Sequence, residues 1–153
     1  MVGLAPLQWL NSTSTAMISV IIFSIWLSLG YQMVIFLAGL QGIPEDLYEA
    51  ARIDGANSWQ RFWRVTLPLL KPTTFFILVT SFISSFQVFT SIYVMTAGGP
   101  VRSTDVIVYH IYQAAWEQLR MGYASAMSWV LFVIIMIATW IQFKVIGARV
   151  DYA

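Results

Sequence analysis

The chain has 153 residues, of which 59% are hydrophobic and only 10% charged, with eight Lys/Arg against seven Asp/Glu. Soluble domains carry about a quarter charged residues, and disordered chains carry few apolar ones, so a disordered chain and an ordinary soluble domain are excluded, leaving a membrane protein or an unusually apolar soluble core. The absence of cysteine excludes a disulfide scaffold or thiolate metal site, and the near-neutral balance gives nucleic-acid binding no electrostatic support.

The charges are unevenly placed. None occurs from Met1 to Pro44, eight fall between Glu45 and Lys71, and none lies between Pro72 and Val101. Four fall between Arg102 and Arg120, none between Met121 and Phe143, and three from Lys144 onward. A helix crossing about 30 Å of hydrocarbon needs about 20 apolar residues. The charge-free stretches therefore predict spans near residues 16–40, 73–95 and 124–143. The expected fold is an all-α polytopic membrane protein with three transmembrane helices and a helix–turn–helix between the first two. No positive n-region with a short apolar core follows Met1, so no cleavable signal peptide is expected.

The loop over residues 41–72 holds Arg52, Arg61, Arg64 and Lys71, whereas that over residues 96–123 holds only Arg102 and Arg120. The segment before Ala16 has no Lys or Arg; the tail has Lys144 and Arg149. The positive-inside rule then predicts an outside N-terminus, a cytoplasmic first loop, an outside second loop and a cytoplasmic C-terminus. Tyr31, Tyr93, Trp116, Tyr123 and Trp140 are expected near span ends, where amphipathic rings favour the interface.

In the first loop, Pro44 suits a first helical turn, and Glu45, Asp46 and Glu49 suit the positive end of a helix dipole. Leu47, Ala50, Ala51 and Ile53 supply an apolar face, and Gly55 is a stop signal. Ser58 is expected to cap a second helix bearing Trp59, Phe62, Trp63 and Thr66 at i, i+3, i+4 and i+7, which Pro68 ends. The residues alone leave two readings open: an amphipathic element on the bilayer surface, or a docking knob for a cytoplasmic partner.

In the second span, Thr80, Ser84, Gln87 and Ser91 fall on one face of a continuous helix, with Ser81 and Ser85 beside them. Hydroxyls and an amide suit an uncharged polyol, although small hydroxyl residues also mediate helix packing. Phe86, Phe89 and Tyr93 are available to stack on sugar faces. Gln32 and Gln142 are expected at the interfaces. Beyond that span, Gly98-Gly99-Pro100 marks a turn, and Ser103 or Thr104 is expected to cap a helix holding His110. His110, the only histidine, has no Cys or carboxylate cluster suggesting a metal site, and no metal or other cofactor is expected.

The run Glu49-Ala50-Ala51-Arg52-Ile53-Asp54-Gly55-Ala56, with Leu67-Pro68 and Pro72, resembles the EAA loop of ABC importer permeases. Leu37-Ala38-Gly39-Leu40, Ile43-Pro44, Gly98-Gly99-Pro100 with Thr104, and Gly122-Tyr123-Ala124-Ser125-Ala126 resemble the carbohydrate branch, of the maltose-F or glycerol-3-phosphate-A type. The resemblance runs from about Ala16 onward. It implies a binding-protein-dependent permease whose loop meets a cytoplasmic ATP-binding subunit. Glu49 would make polar contact with that subunit, Ala50, Ala51 and Ala56 would pack closely, Gly55 would form the turn, and Asp54 would lie beside it. Arg52 would hold the loop or meet the partner. A second permease subunit, a periplasmic or lipoprotein solute-binding protein and membrane lipid complete the expected partners, with no nucleic acid.

Family members usually have about six spans, so three predict a C-terminal portion. ATP hydrolysis is expected on a separate subunit, since no phosphate-cradling glycine loop, catalytic triad or HExxH pattern occurs. The charge-free spans disfavour glycerol-3-phosphate as solute relative to a neutral sugar. They also disfavour an intramembrane enzyme built on Glu49, Asp54 or His110. A non-transporting membrane scaffold is the remaining alternative.

Overall fold

The computed structural model describes residues 8–147, and all regular elements among them are helical. They are α1 (Ala16–Gln41), α2 (Glu45–Ile53), α3 (Ser58–Arg61), α4 (Leu67–Leu69), α5 (Lys71–Phe86), α6 (Thr90–Met95), α7 (Ile107–Tyr112) and α8 (Met121–Val145). Two π-helical turns complete the set: Phe62–Thr66 joins α3 to α4, and Gln113–Glu117 extends α7. Arg149 lies outside the described residues.

Helices α1 and α8, of 26 and 25 residues, are long and apolar enough to cross a membrane. At 1.5 Å per residue each runs about 38 Å, more than the hydrocarbon thickness. Only Ala16 and Val20 of α1, and Ala124 and Leu131 of α8, are buried. The apolar side chains thus point mostly outward, as they do in lipid, where burial within one chain is not what holds a helix. Arg120 lies over the Tyr123 ring at 4.9 Å and Lys144 over Trp140 at 5.2 Å. These cation–aromatic pairs bracket the uncharged stretch 121–143, an arrangement suited to the two interfaces. Tyr31 instead sits well inside α1.

The second stretch departs from a single continuous helix over residues 73–95. Helix α5 ends at Phe86, and α6 starts only at Thr90. Gln87 N–H closes a tight turn on Ser84 C=O at 3.1 Å, and Phe89 turns to φ −132°. The run Val88-Phe89-Thr90 has low helix propensity, and packing of Phe89 against neighbouring aromatic rings outweighs a helical backbone there. At its other end, α5 meets the helix Ser58–Leu69 at a bend of 60°.

The described residues form two compact units, 8–28 with 83–137, and 29–82 with 138–147. In the first, Val20, Ile92 and Tyr109 form a core, with Val88, Phe89, Met95, Val106 and Tyr112 around it. Thr104 is fully buried; it does not cap α7, which starts after Val106. Its hydroxyl donates to Gly99 C=O at 2.8 Å and lies 2.7 Å from the Thr96 hydroxyl, so it latches the Gly98-Gly99-Pro100 turn. Gly98 lies so close to Tyr109 that a Cβ there would meet the ring at 2.7 Å.

The π turn after α7 leads to Leu119, an exposed residue with φ +55°. The left-handed conformation costs an L residue about 1–2 kcal/mol, and an exposed Leu has little packing to lose. Leu119→Gly is therefore expected to leave the protein as stable or to raise its stability by about 0.5–1 kcal/mol, after the entropy of an added glycine is subtracted. Thermal unfolding of the solubilised full-length protein measures this; a clear loss of stability would contradict it.

In the second unit, Gly39 of α1 approaches Thr73 and Leu70 closely. Gln32 Nε2 donates to Ser81 Oγ at 3.0 Å, so Gln32 joins α1 to α5 and does not reach for an interface. The Phe75 and Phe143 rings meet edge to face at 5.0 Å. Gln142 is half-buried, and its Oε1 has no hydrogen-bond partner among the described residues.

Candidate coupling loop and candidate solute path

Helix α2 follows Pro44, which precedes the first helical turn as its N-cap residue and does not lie within it. Glu45 and Asp46 occupy the first turn and Arg52 the last, each on the favourable side of the helix dipole. The end of α2 is closely specified. Gly55 N–H bonds Arg52 C=O at 3.0 Å, Ala56 N–H bonds Ala51 C=O at 2.9 Å, and Gly55 adopts φ +77°. This pair of bonds around a left-handed glycine is the Schellman arrangement, and it satisfies two terminal carbonyls. Asp54 is the C-cap residue.

The second helix is capped one residue earlier than expected, by Asn57 and not Ser58. Asn57 Oδ1 accepts from Gln60 N–H, and Gln60 Oε1 accepts from Asn57 N–H, both at 2.9 Å. The spacing Asn57-x-x-Gln60 is a capping box, a signal the sequence carries openly. Pro68 does not end this helix; α4 contains it. The π turn before it accommodates the proline: Leu67 N–H reaches back to Phe62 C=O, relaxing the crowding that a ring would meet in a regular helix. The extra residue rotates the downstream side chains by roughly 100°. Thr66 accordingly leaves the face of Trp59, Phe62 and Trp63, is buried, and pairs with the Tyr48 hydroxyl at 3.0 Å. That contact ties the second helix to α2.

Exposure differs along the loop. Glu49, Ala50, Arg52, Asp54 and Gly55 are exposed, while Ala51 and Ala56 are half-buried. No residue of α2 is buried. Leu47 is 42% exposed and Ile53 87%, so Ile53 lies uncovered at the tip.

The four polar residues of the second stretch do not share one helix face. Thr80 and Ser84 lie on α5, Gln87 in the break and Ser91 on α6. The Thr80 hydroxyl turns back to Phe76 and Ile77 C=O at 2.9 and 3.1 Å. Gln87 is exposed. Beside the break, Phe89 packs with Tyr93 at 5.4 Å and Tyr112 at 5.1 Å, and Tyr112 with Tyr109 at 6.3 Å. Tyr109 and Tyr112 are not among the residues expected from the sequence, though their i, i+3 spacing on α7 puts them on one face. Burial pushes the Tyr109 phenol above its ordinary range, and a hydrogen bond with Tyr93 does the same for Tyr112. Both hydroxyls are thus neutral at physiological pH. His110 Nδ1 lies 3.1 Å from Asp105 Oδ2, a carboxylate five positions earlier whose spacing alone does not pair it with the imidazole. No group of three or more His, Cys, Asp or Glu able to hold a metal occurs among the described residues.

Residues 1–150 match the family model described as binding-protein-dependent transport system inner membrane component. The chain is 43% identical over 146 residues to the probable ABC transporter permease protein YesP of Bacillus subtilis, covering 94% of this chain and 47% of that protein. It is 41% identical over 138 residues to the sn-glycerol-3-phosphate transport system permease protein UgpA of Agrobacterium fabrum, covering 90% and 47%. Among solved structures, it resembles a chain of a bacterial ABC transporter involved in import of the acidic polysaccharide alginate, at TM-score 0.79 and 28% identity, covering 94% of this chain and 52% of that one. A chain of an alginate transporter in complex with a pentasaccharide-bound periplasmic protein matches at TM-score 0.82 and 27% identity, covering 94% and 50%. The chain spans about half the length of these relatives. It belongs to the family of inner membrane components of binding-protein-dependent transport systems, the permeases of ABC importers.

Proposed function

We propose that this chain serves within an inner-membrane permease subunit of an ATP-driven importer of sugars or related polyols, coupled to a cytoplasmic ATP-binding subunit through residues 49–56. The observation that carries this reading is the state of α2. Its end is locked by the Schellman bonds, yet none of its residues is buried and Ile53 stands uncovered at its tip. A well-built projection with an exposed apolar tip fits a protein partner. Glu49 supplies a charged contact, Ala50, Ala51 and Ala56 allow close approach, Arg52 flanks them, and Asp54 and Gly55 shape the turn. Movement of the partner would carry this rigid element and switch access across the membrane.

The solute path is assigned to Thr80, Ser84, Gln87 and Ser91. The helix break at Gln87 supports it, because irregular backbone at membrane depth is tolerated where it lines a polar cavity or is buried in protein. The stretches 72–101 and 121–143 carry no cation for a phosphate, which favours a neutral solute. The other partners are a second permease subunit and a solute-binding protein, with the N-terminus of this portion outside and its C-terminus cytoplasmic.

The test uses the full-length permease in its assembled transporter. Glu49→Lys and Ile53→Glu are expected to abolish pull-down of the ATP-binding subunit and to reduce uptake at least tenfold, the effect of about 1.4 kcal/mol. Uptake is measured across neutral oligosaccharides, glycerol-3-phosphate and alginate oligosaccharides. Wild-type association and uptake in both variants would remove the coupling role; uptake of the anionic solutes alone would remove the neutral-solute assignment.

A further inference from the structure

The second helix of the loop has an outer face that α2 does not cover. Trp59, Phe62 and Trp63 pack on one another, with centroids 5.6 Å apart for the two tryptophans, 6.2 Å for Trp59 and Phe62, and 5.7 Å for Phe62 and Trp63. All three remain exposed, Trp59 by 69%. The inner side of the same segment is closed by buried Thr66 and Leu70.

Charge separates sharply between the two helices. Helix α2 with its cap holds Glu45, Asp46, Glu49 and Asp54 against Arg52 alone. From Gly55 to Thr104 there is no acidic residue, and the cations of this stretch are Arg61, Arg64, Lys71 and Arg102. By helical position Arg61 and Arg64 lie away from the ring cluster. Aromatic rings on one side and cations on the other is the composition of a helix that lies in a bilayer interface.

The geometry agrees. The segment Ser58–Leu69 meets α5 at 60°. If α5 tilts about 20° from the bilayer normal, as spans do on average, the segment lies roughly 40–80° from that normal, that is, inclined by about 10–50° to the membrane plane. We propose that residues 58–71 form a foot on the bilayer surface, with Trp59, Phe62 and Trp63 seated at the headgroup–acyl boundary and Arg61, Arg64 and Lys71 binding anionic lipid headgroups. The occupant of this face is lipid, whereas the α2 tip is left for protein. This assignment needs the chain to be embedded in a membrane but does not need the coupling role of Glu49.

A spin label reports the depth. The chain contains no cysteine, so labels at Trp59→Cys, Trp63→Cys and Ile53→Cys are introduced singly into full-length permease freed of other thiols. Labels at 59 and 63 are expected about 5–10 Å into the boundary in liposomes containing phosphatidylglycerol, more accessible to oxygen than to a water-soluble nickel complex. The label at 53 is expected in water. Each cation beside an anionic leaflet strengthens binding about fivefold, so pure phosphatidylcholine should shift labels 59 and 63 toward water. Arg61→Gln, Arg64→Gln and Lys71→Gln combined should do the same in phosphatidylglycerol. If that triple variant fails to fold, the lipid comparison on the wild-type charges still decides. Labels 59 and 63 as wet as 53 in both liposomes, or buried only after the ATP-binding subunit is added, would overturn the proposal; the second result would make this face a protein contact.

Discussion

Gly39→Ala is expected to lower the unfolding temperature of the full-length permease measurably, and Gly39→Leu is expected to prevent recovery of folded protein. A Cβ on Gly39 would lie 2.6 Å from Thr73 Oγ1, 2.9 Å from Thr73 Cγ2 and 3.1 Å from Leu70 Cδ2. Thr73 is β-branched and stiff at χ1, and Leu70 is buried, so neither yields easily. Overpacking of this kind costs about 1–3 kcal/mol for one methyl group and more for a larger side chain. Small residues at helix crossings are how spans approach one another in lipid, where there is no hydrophobic gain between helices. The same helix provides a control: a Cβ on Gly30 meets nothing within 4 Å. Gly30→Ala should therefore be neutral or slightly stabilising. Thr73→Ser combined with Gly39→Ala should recover part of the loss, since the two sites share one contact. Equal thermal stability of Gly39→Ala, Gly30→Ala and wild type would show that the close approach is not a determinant of stability.

Gly55→Val is expected to lower uptake roughly tenfold with the permease still folded. No atom lies within 4 Å of a Cβ at this position, so space is not the obstacle. The obstacle is φ +77°, which costs an L residue about 1–2 kcal/mol, and a β-branched one the most. The loop escapes that cost by releasing the bonds from Gly55 to Arg52 and from Ala56 to Ala51, which tilts the tip carrying Ile53. Gly55→Asn separates conformation from side-chain bulk, because asparagine enters the left-handed region more readily. Uptake and pull-down of the ATP-binding subunit should follow the order glycine, asparagine, valine. An indifferent order would mean that the Schellman turn has no part in coupling.

Much of the architecture is legible in the sequence, and the residues show why. Helices α1 and α8 follow from charge-free windows, because a membrane span is dictated by composition over about 20 residues and needs no knowledge of its neighbours. The turn at Gly55 follows from one residue type with one conformational use. The π turns and the break at Gln87 are not legible in the same way. Each depends on a competition between local hydrogen bonds and distant packing: Pro68 against the carbonyl ladder, and Phe89 against the helix it would have continued. A helical wheel drawn through Thr80, Ser84, Gln87 and Ser91 assumes 3.6 residues per turn throughout, and the break removes that assumption. Thr66 leaves the ring face for a related reason, one residue being inserted into its turn. Of the candidate site, residue types in the loop over residues 41–72 are readable, but the Tyr48–Thr66 bond and the Asp105–His110 pair are not, since nothing in spacing alone distinguishes them from exposed neighbours.

The 60° bend between Ser58–Leu69 and α5 makes this stretch a crank. The segment is roughly 18 Å long at 1.5 Å per residue, and its component perpendicular to α5 is about 16 Å. A twist of α5 by roughly 10° about its own axis would then sweep the far end, near Ser58, through about 3 Å. A straight continuation would convert the same twist into almost no displacement. Torque on one end and travel at the other are thereby exchanged within a single run of chain, at a ratio set by the arm's length and the bend angle.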